Sequence, residues 1–219
     1  MGELSQVQQF AIWVLPVLFA ITLHEVAHGW VASRLGDPTA KMLGRLSLNP
    51  LRHIDPVGTV LVPAMLLWMG GFLFGWAKPV PVNPRNLRRP RQDMVWVAAA
   101  GPVSNILMAI GWAMVLSAAQ RRAGGTVAEW LQVMASIGVS INLLLAVFNM
   151  LPIPPLDGGR VLANLLPPGP LSRLMAKVEP FGLFIVLGLL VTGVLFFLLS
   201  RPIGVLEELI LGLVGAHRF

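Results

Sequence analysis

The sequence contains no cysteine and has few charged residues. Without cysteine there are no disulfides, no thiolate metal ligands and no cysteine nucleophile. Charged residues make up only 12% of the 219 residues, about half the share found in soluble proteins. Hydrophobic residues make up 56%, and the mean hydropathy is +0.76. These proportions predict an integral membrane protein in a single domain, residues 1–219, all-α and polytopic with about four to six transmembrane helices.

The net charge of +6 comes from short basic loops beside apolar segments. Such loops are typical of anchoring next to anionic lipid, so the expected partner is the lipid bilayer rather than nucleic acid. The N-terminal segment MGELSQVQQF has no basic region ahead of its apolar run, so no cleavable signal peptide is expected.

Ionisable residues nevertheless occur inside the first apolar segment, where His24, Glu25 and His28 form an HExxH pattern. Helix positions i and i+4 lie one turn apart on one face, so both imidazoles can reach one metal ion. The glutamate in this pattern serves as general base toward a metal-bound water. Because a charged group at a membrane helix centre costs about 3 kcal/mol, such residues indicate a functional site. The alternative is a pair of hydrogen-bonded core histidines.

A hydrolytic zinc site needs a third protein ligand, which here must be histidine or carboxylate. The candidates are His53, Asp55, Asp93 and Asp157. Asp157 is favoured because it follows a proline-broken stretch, residues 150–155, within apolar sequence; a role as helix N-cap is the alternative. Asp55 is more typical of a cap or turn, and His53 of an interfacial position beside Arg52.

The proposed ligands constrain the topology. The histidines lie toward the end of a predicted helix at about residues 8–34, and Asp157 follows another at about 127–149. They can meet only if both helix ends lie on one face of the membrane. A single full span over the apolar segment 57–77 would leave Asp157 on the opposite face, and the segment is too short for two helical spans. We therefore expect it to be re-entrant, or to descend as a helix and return as the extended stretch FGWAKPVPV.

Basic residues support the same topology, because twelve fall on the metal-proximal face and three on the other. The positive-inside rule then assigns the metal-proximal face to the cytoplasm, with the N-terminus outside. The twelve are Arg34, Lys41, Arg45, Arg52, Lys78, Arg85, Arg88, Arg89, Arg91, Arg160, Arg173 and Lys177, and the three are Arg121, Arg122 and Arg201.

Further predicted helices cover about residues 93–120, 158–165 and 181–199, with an interfacial segment at 203–216. Residues 43–49 and 76–82 are expected to be short extended strands near the site, which could hold an unwound substrate. The catalytic core would then comprise about residues 8–166, and the C-terminal helices about 180–216.

The chain resembles the site-2 protease family of intramembrane zinc metalloproteases, in its short form without a PDZ or CBS domain. The resemblance covers about residues 20–165 and rests on LHEVAHGWVA, GWAKPVPVNPRNLRRPR, AAAGPVSN and FNMLPIPPLDGGRVL, in this order. It implies a multi-pass protein that cleaves transmembrane substrates, expected in a prokaryotic cell membrane; the distribution of basic residues places its active site nearer the cytoplasmic face.

The resemblance also implies roles for individual residues. One zinc ion per chain would be bound by the metal ligands His24, His28 and Asp157. Glu25 would be the general base, and Asn149 would stabilise the oxyanion or position the substrate. Asn105, in the GPxxN motif, is a candidate for site architecture.

A different class of protein remains open from the residues alone. A divalent-metal transporter or sensor could use the same two histidines and Asp157 without proteolysis. Glu25 favours the enzyme, because a transporter has no need for an acid that abuts the metal without binding it. A member that binds substrate but is catalytically silent is disfavoured by the intact HExxH motif and Asp157.

Overall fold

A computed structural model describes residues 6–68, 75, 77–122 and 125–218. Nine α-helices occur within these ranges: α1 Gln6–Arg34, α2 Thr39–Met42, α3 Val62–Trp68, α4 Pro90–Gln120, α5 Thr126–Asn149, α6 Asp157–Leu165, α7 Pro170–Val178, α8 Gly182–Val191 and α9 Val194–Val214. Short 3-10 turns at Pro50–His53, Pro84–Asn86 and Glu179–Phe181 and a π-helix at Pro56–Leu61 join them.

Four helical segments of the described chain are long and apolar enough to cross a membrane. They are Ile12–Arg34, Pro90–Gln120, Thr126–Asn149 and Pro170–Val191. Many of their large apolar side chains point outward, including Trp13, Phe19 and Val191, as expected of surfaces that face lipid. The prediction of an all-α polytopic membrane protein is therefore confirmed.

Helix α4 lies at the centre of the helical bundle. It packs most extensively against α5 and also against α1 and α6. Fully buried alanines, Ala109 and Ala113 on α4 and Ala135 on α5, line the contact together with the buried Leu116 and Leu143. Small residues let membrane helices approach closely, which strengthens the dispersion contacts that hold them together. The bundle thereby fixes α1 and α6 against the same helix.

The C-terminal helices depart from the predicted boundaries. Instead of one helix over about 181–199, α8 ends at Val191 and α9 begins at Val194. Gly193 lies between them with φ 75°, a left-handed conformation that ends helices and that glycine adopts without strain. The predicted interfacial segment 203–216 is mostly the continuation of α9, and that boundary prediction is wrong.

The segment 57–77 begins with the π-helix and α3, but residues 69–74 and 76 lie outside the described ranges. Its two ends come together, because Lys78 N donates a hydrogen bond to the carbonyl of His53 at 2.9 Å. The re-entrant path expected between these ends therefore falls partly outside the described residues.

The two short extended strands expected beside the site are not found in the described chain. Residues 43–49 form a turn and irregular backbone, and residues 77–82 run without a paired strand. In the second segment Pro79 and Pro81 have no N–H to contribute to a ladder. The prediction of strands from the sequence pattern is therefore wrong for residues 43–49 and for the described residues 77–82.

Candidate metal centre

Two histidines and an aspartate meet in the interior of the bundle. The Asp157 Oδ2 atom lies 3.1 Å from His24 Nε2 and 3.3 Å from His28 Nε2. All three side chains are buried, and they are the only described histidine and acid side chains that cluster closely enough to share a metal ion. The structure thus brings together the three residues that the sequence predicts as ligands.

Each ligand is positioned by the local sequence. One face of α1 presents His24 and His28, whereas Asp157 is the first residue of α6, immediately after the proline-containing break. A Cβ at Gly158 would lie 2.6 Å from the Leu151 carbonyl oxygen, and one at Gly159 would lie 2.5 Å from the Ile153 carbonyl carbon. These glycines let α6 fold back onto the break, and this packing holds Asp157 against the histidines.

The donor set and the spacing fit a zinc ion. Zinc–nitrogen bonds of about 2.0–2.1 Å in a tetrahedral site place neighbouring ligand atoms about 3.3 Å apart. A Cβ at Gly101 would lie 2.5 Å from His24 Nε2 and would also overlap His28 Nε2. Glycine at this position therefore lets both Nε2 atoms lie close to the backbone of α4.

Both imidazoles are oriented by hydrogen bonds to α4. His28 Nδ1 lies 2.7 Å from the Val97 carbonyl oxygen, and His24 Nδ1 lies 2.5 Å from Asn105 Oδ1. Since a carbonyl oxygen only accepts, His28 Nδ1 carries the proton and Nε2 presents its lone pair. Val97, Gly101 and Asn105 are spaced by four and form one stripe along α4, which we call the α4 stripe.

Glu25 is held by a different part of the chain. Its Oε2 accepts a hydrogen bond from Val80 N at 2.7 Å. A Cβ at Gly29 would lie 2.8 Å from Val80 Cγ1 and 2.6 Å from Leu46 Cδ2, so glycine permits this close approach. The extended segment 77–82 thus crosses α1 beside the HExxH motif and orients the carboxylate.

Asp37 anchors the far end of this extended segment to the end of α1. Its carboxylate accepts from Asn83 N at 2.6 Å, Asn86 Nδ2 at 2.9 Å, and Thr39 N and Oγ1 at 3.1 and 2.5 Å. Burial opposes ionisation, but the hydrogen bonds from Thr39, Asn86 and Asn83 outweigh it and hold the Asp37 pKa below its ordinary value.

The other sequence candidates lie elsewhere. Asp55 Oδ1 accepts from Val57 N and Gly58 N at 2.9 and 2.8 Å, so the cap prediction is confirmed. His53 is buried, with its Nε2 2.9 Å from the Ser47 carbonyl oxygen, and its expected interfacial position stays a prediction. Asp93 accepts from Arg89 N at the start of α4.

Asn149 is the last residue of α5 and is half-buried. Its Nδ2 donates to the Leu145 carbonyl oxygen at 3.0 Å, one turn back on the same helix. Asp157, for which an N-cap role was the alternative, is itself the first residue of α6, and Leu156 precedes it as the cap. The carboxylate is directed to the histidines rather than to the helix start.

Two contributors were missed from the sequence. Gly101 acts by the absence of a side chain, which no spacing rule detects. Asn142, buried on α5, donates and accepts hydrogen bonds next to Asn105. The signal for Asn142 was available, because an amide within an apolar membrane helix demands a partner.

A buried cluster of two histidines and an aspartate, with both histidines on a membrane-length helix beside a glutamate, is an arrangement that could hold a metal ion inside a membrane-spanning helical bundle. Residues 114–193 match peptidase family M50. The matched region includes Asp157. It begins after the HExxH motif, residues 24–28, and so does not include that motif.

Relatives cover most of the chain. It is 40% identical over 206 residues to a Bacillus subtilis (strain 168) protein named "Putative zinc metalloprotease YwhC", covering 93% of this chain and 90% of the relative. It is 30% identical over 192 residues to "Putative zinc metalloprotease Rip2" of Mycolicibacterium smegmatis, covering 88% and 71%. No solved structure shows a significant match. The chain belongs to peptidase family M50, the site-2 protease family.

Proposed function

We propose that the protein is an intramembrane zinc metalloendopeptidase that hydrolyses peptide bonds of transmembrane proteins or peptides within or near the bilayer. The observation that carries this proposal is the convergence of His24, His28 and Asp157 in the bundle interior, with Glu25 adjacent in the same helix turn. Membership of family M50 and the names of its relatives support a metalloprotease. The whole chain, residues 1–219, would act as one membrane-embedded domain.

One zinc ion would be held by the three ligand atoms beside Gly101. When bound, it would supply Lewis acidity toward the scissile carbonyl and lower the pKa of a water toward about 7. The two Nδ1 hydrogen bonds keep both Nε2 atoms facing the Asp157 carboxylate. The imidazoles are therefore oriented for metal binding before any ion arrives.

Proton transfer is assigned to Glu25. Its carboxylate accepts a proton from the attacking water and delivers that proton to the leaving amine. The hydrogen bond from Val80 N restrains Oε2 and thus the direction of the carboxylate. A positioned general base contributes about 10²–10⁴-fold to the rate.

Asn149 would stabilise the oxyanion of the tetrahedral intermediate. An amide nitrogen carries two N–H groups, and one of them is used by the Leu145 carbonyl. The second N–H is available to a substrate that approaches the end of α5. A single donor of this kind contributes about 10²–10³-fold to the turnover rate.

The active site would lie nearer the cytoplasmic face of a prokaryotic cell membrane, with the N-terminus outside. The basic residues that flank the ends of α1 and α6 support this orientation, because positive loops are retained in the cytoplasm. The hydrogen bond between Lys78 and His53 supports a re-entrant path for the segment between them.

The test uses the purified protein reconstituted in vesicles with single-span peptide substrates. Glu25→Gln should retain one zinc per chain and lose at least about 100-fold of the cleavage rate, since the amide cannot accept the proton. Glu129→Gln, an exposed carboxylate on α5, is the matched control and should cleave normally.

Undiminished cleavage by Glu25→Gln would refute the assignment of Glu25 as base. Divalent-metal flux through these vesicles that survives in the same variant, without cleavage by the wild type, would favour the transporter alternative. Zinc binding that is unchanged when His24 is replaced would refute the proposed ligand set.

A further inference from the structure

Two fully buried asparagines connect three membrane helices next to the metal centre. Asn105 on α4 donates through Nδ2 to Asn142 Oδ1 on α5 at 2.9 Å and to the Ala20 carbonyl oxygen on α1 at 3.3 Å. Asn142 Nδ2 donates in turn to the Gly138 carbonyl oxygen at 2.8 Å. Neither amide reaches water, so each of these contacts has to satisfy a donor that would otherwise remain unpaired in apolar surroundings.

The hydrogen bonds run in one direction. The Gly138 carbonyl oxygen can only accept, so the nitrogen of Asn142 faces it and the oxygen of Asn142 faces Asn105. The nitrogen of Asn105 therefore faces two acceptors, Asn142 Oδ1 and the Ala20 carbonyl. Rotating either side-chain amide by half a turn would place two acceptors or two donors opposite each other inside the bundle.

The direction continues to the first histidine of the metal centre. With its nitrogen committed, Asn105 presents only its oxygen to His24 Nδ1, 2.5 Å away. The imidazole must then carry its proton on Nδ1, which leaves the Nε2 lone pair directed toward Asp157 Oδ2. His28 needs no such chain, because the Val97 backbone carbonyl accepts from its Nδ1 directly.

We propose that Asn142 is a positioning residue for the metal centre, which fixes the tautomer of His24 through Asn105 although it touches no metal-binding side chain. The chain of hydrogen bonds begins at the backbone carbonyl of Gly138 on α5, passes through Asn142 and Asn105, and ends at the imidazole of His24. The inference rests on the proposed zinc site but not on proteolysis. It accounts for a buried amide on α5 that the hydrolytic mechanism does not use.

A merely structural role would be an interhelical hydrogen bond that stabilises the contact of α4 with α5. The two roles predict different effects on zinc affinity. Loss of a helix–helix bond lowers the stability of the zinc-free protein alone, whereas loss of tautomer control lowers zinc affinity by about 10–100-fold, the range for partners of ligating histidines.

The experiment compares substitutions at one position. Asn142→Leu removes the closer of the two acceptors of Asn105 Nδ2 and leaves only the Ala20 carbonyl at 3.3 Å, whereas Asn142→Asp in its protonated form keeps an acceptor for Asn105 and an O–H donor for the Gly138 carbonyl. Ser117→Ala is the matched control, since it deletes another interhelical bond of α4, from Ser117 Oγ to the Val214 carbonyl at 2.8 Å.

The purified full-length variants are titrated with zinc against a chelator, and the thermal midpoint of each zinc-free form is recorded. We expect Asn142→Leu to bind zinc about 10–100-fold more weakly, with Asn142→Asp and Ser117→Ala within about threefold of wild type. In zinc-free protein with ¹⁵N-labelled histidine, the His24 signals should show the Nδ1–H tautomer alone in wild type and a mixture in Asn142→Leu.

Wild-type zinc affinity in Asn142→Leu, or equal weakening in the Leu and Asp variants, would overturn the proposal. If the Leu variant does not fold, Asn142→Ala is used with the same expectations. Absence of cleavage by a wild-type protein that binds zinc normally would refute the protease proposal and leave this inference standing. Zinc binding that does not depend on His24 would overturn this inference.

Discussion

Replacing Gly101 with alanine should abolish the metal site while leaving the helix intact. The new Cβ would lie 2.5 Å from His24 Nε2 and 2.6 Å from His24 Cε1, and it would overlap His28 Nε2 as well. Carbon and nitrogen atoms in contact are about 3.5 Å apart, so each ring would have to retreat by about 1 Å. Metal–ligand distances tolerate only about 0.2 Å.

The size of the effect follows from the number of ligands lost. Zinc binding by four protein ligands is worth about 10–16 kcal/mol, or about 2.5–4 kcal/mol per ligand. Displacing one histidine would therefore weaken binding about 60- to 700-fold, at 1.4 kcal/mol for each factor of about ten.

The assay is a chelator-competition titration of the purified protein, supported by metal analysis. Gly111→Ala is the matched control on the same helix, because a Cβ there meets nothing within 4 Å. It should bind zinc like the wild type. Wild-type affinity in Gly101→Ala would refute the argument that a side chain at this position displaces the histidines.

Two further substitutions test how the chain around Glu25 is held. Val80→Pro removes the N–H that donates to Glu25, at a position that Pro81 already restricts to extended backbone. Turnover should fall about tenfold, whereas Val80→Ala, which keeps the N–H, should stay closer to wild type. Equal losses of turnover in the two variants would contradict the role assigned to this hydrogen bond. Asp37→Asn should lower the unfolding temperature at neutral pH, because its amide would face the Asn83 N–H. Since the Asp37 pKa is depressed below 3.8, the stabilisation by its carboxylate is complete above that pH and is lost as the pH falls through the native pKa. The difference between wild type and Asp37→Asn in thermal unfolding should therefore shrink below about pH 4, and a constant difference would refute the hydrogen-bond account.

The sequence was informative where a physical rule constrains the chain strongly. Ionisable side chains are costly in a membrane, so His24, His28 and Asp157 stood out as a set, and the four-residue spacing of the histidines placed two of them on one face. The low charge content likewise predicted the helical membrane bundle. Helices α4 and α5 begin within a few residues of the predicted positions, because long apolar runs are hard to misassign.

Other features depend on contacts between distant segments. Residues 43–49 alternate like a strand, but strands need a partner, and none is present in the described chain. Gly193 lies in an apolar run with no polar boundary, so the division between α8 and α9 depends on a backbone angle that the sequence does not display. Gly101 and Asn142 matter because of the residues that they contact on neighbouring helices, which the sequence does not display.

The α4 stripe places the three residues that contact the histidines of the candidate metal centre on one helix. Val97 and Asn105 orient the two imidazoles and Gly101 lets them lie close to α4, although none of the three belongs to the proposed ligand set. The proposed ligands come from α1 and α6. Transmembrane helices answer a change of bilayer thickness by tilting. A tilt of α4 would therefore move Val97, Gly101 and Asn105 together relative to the side chains that α1 and α6 contribute.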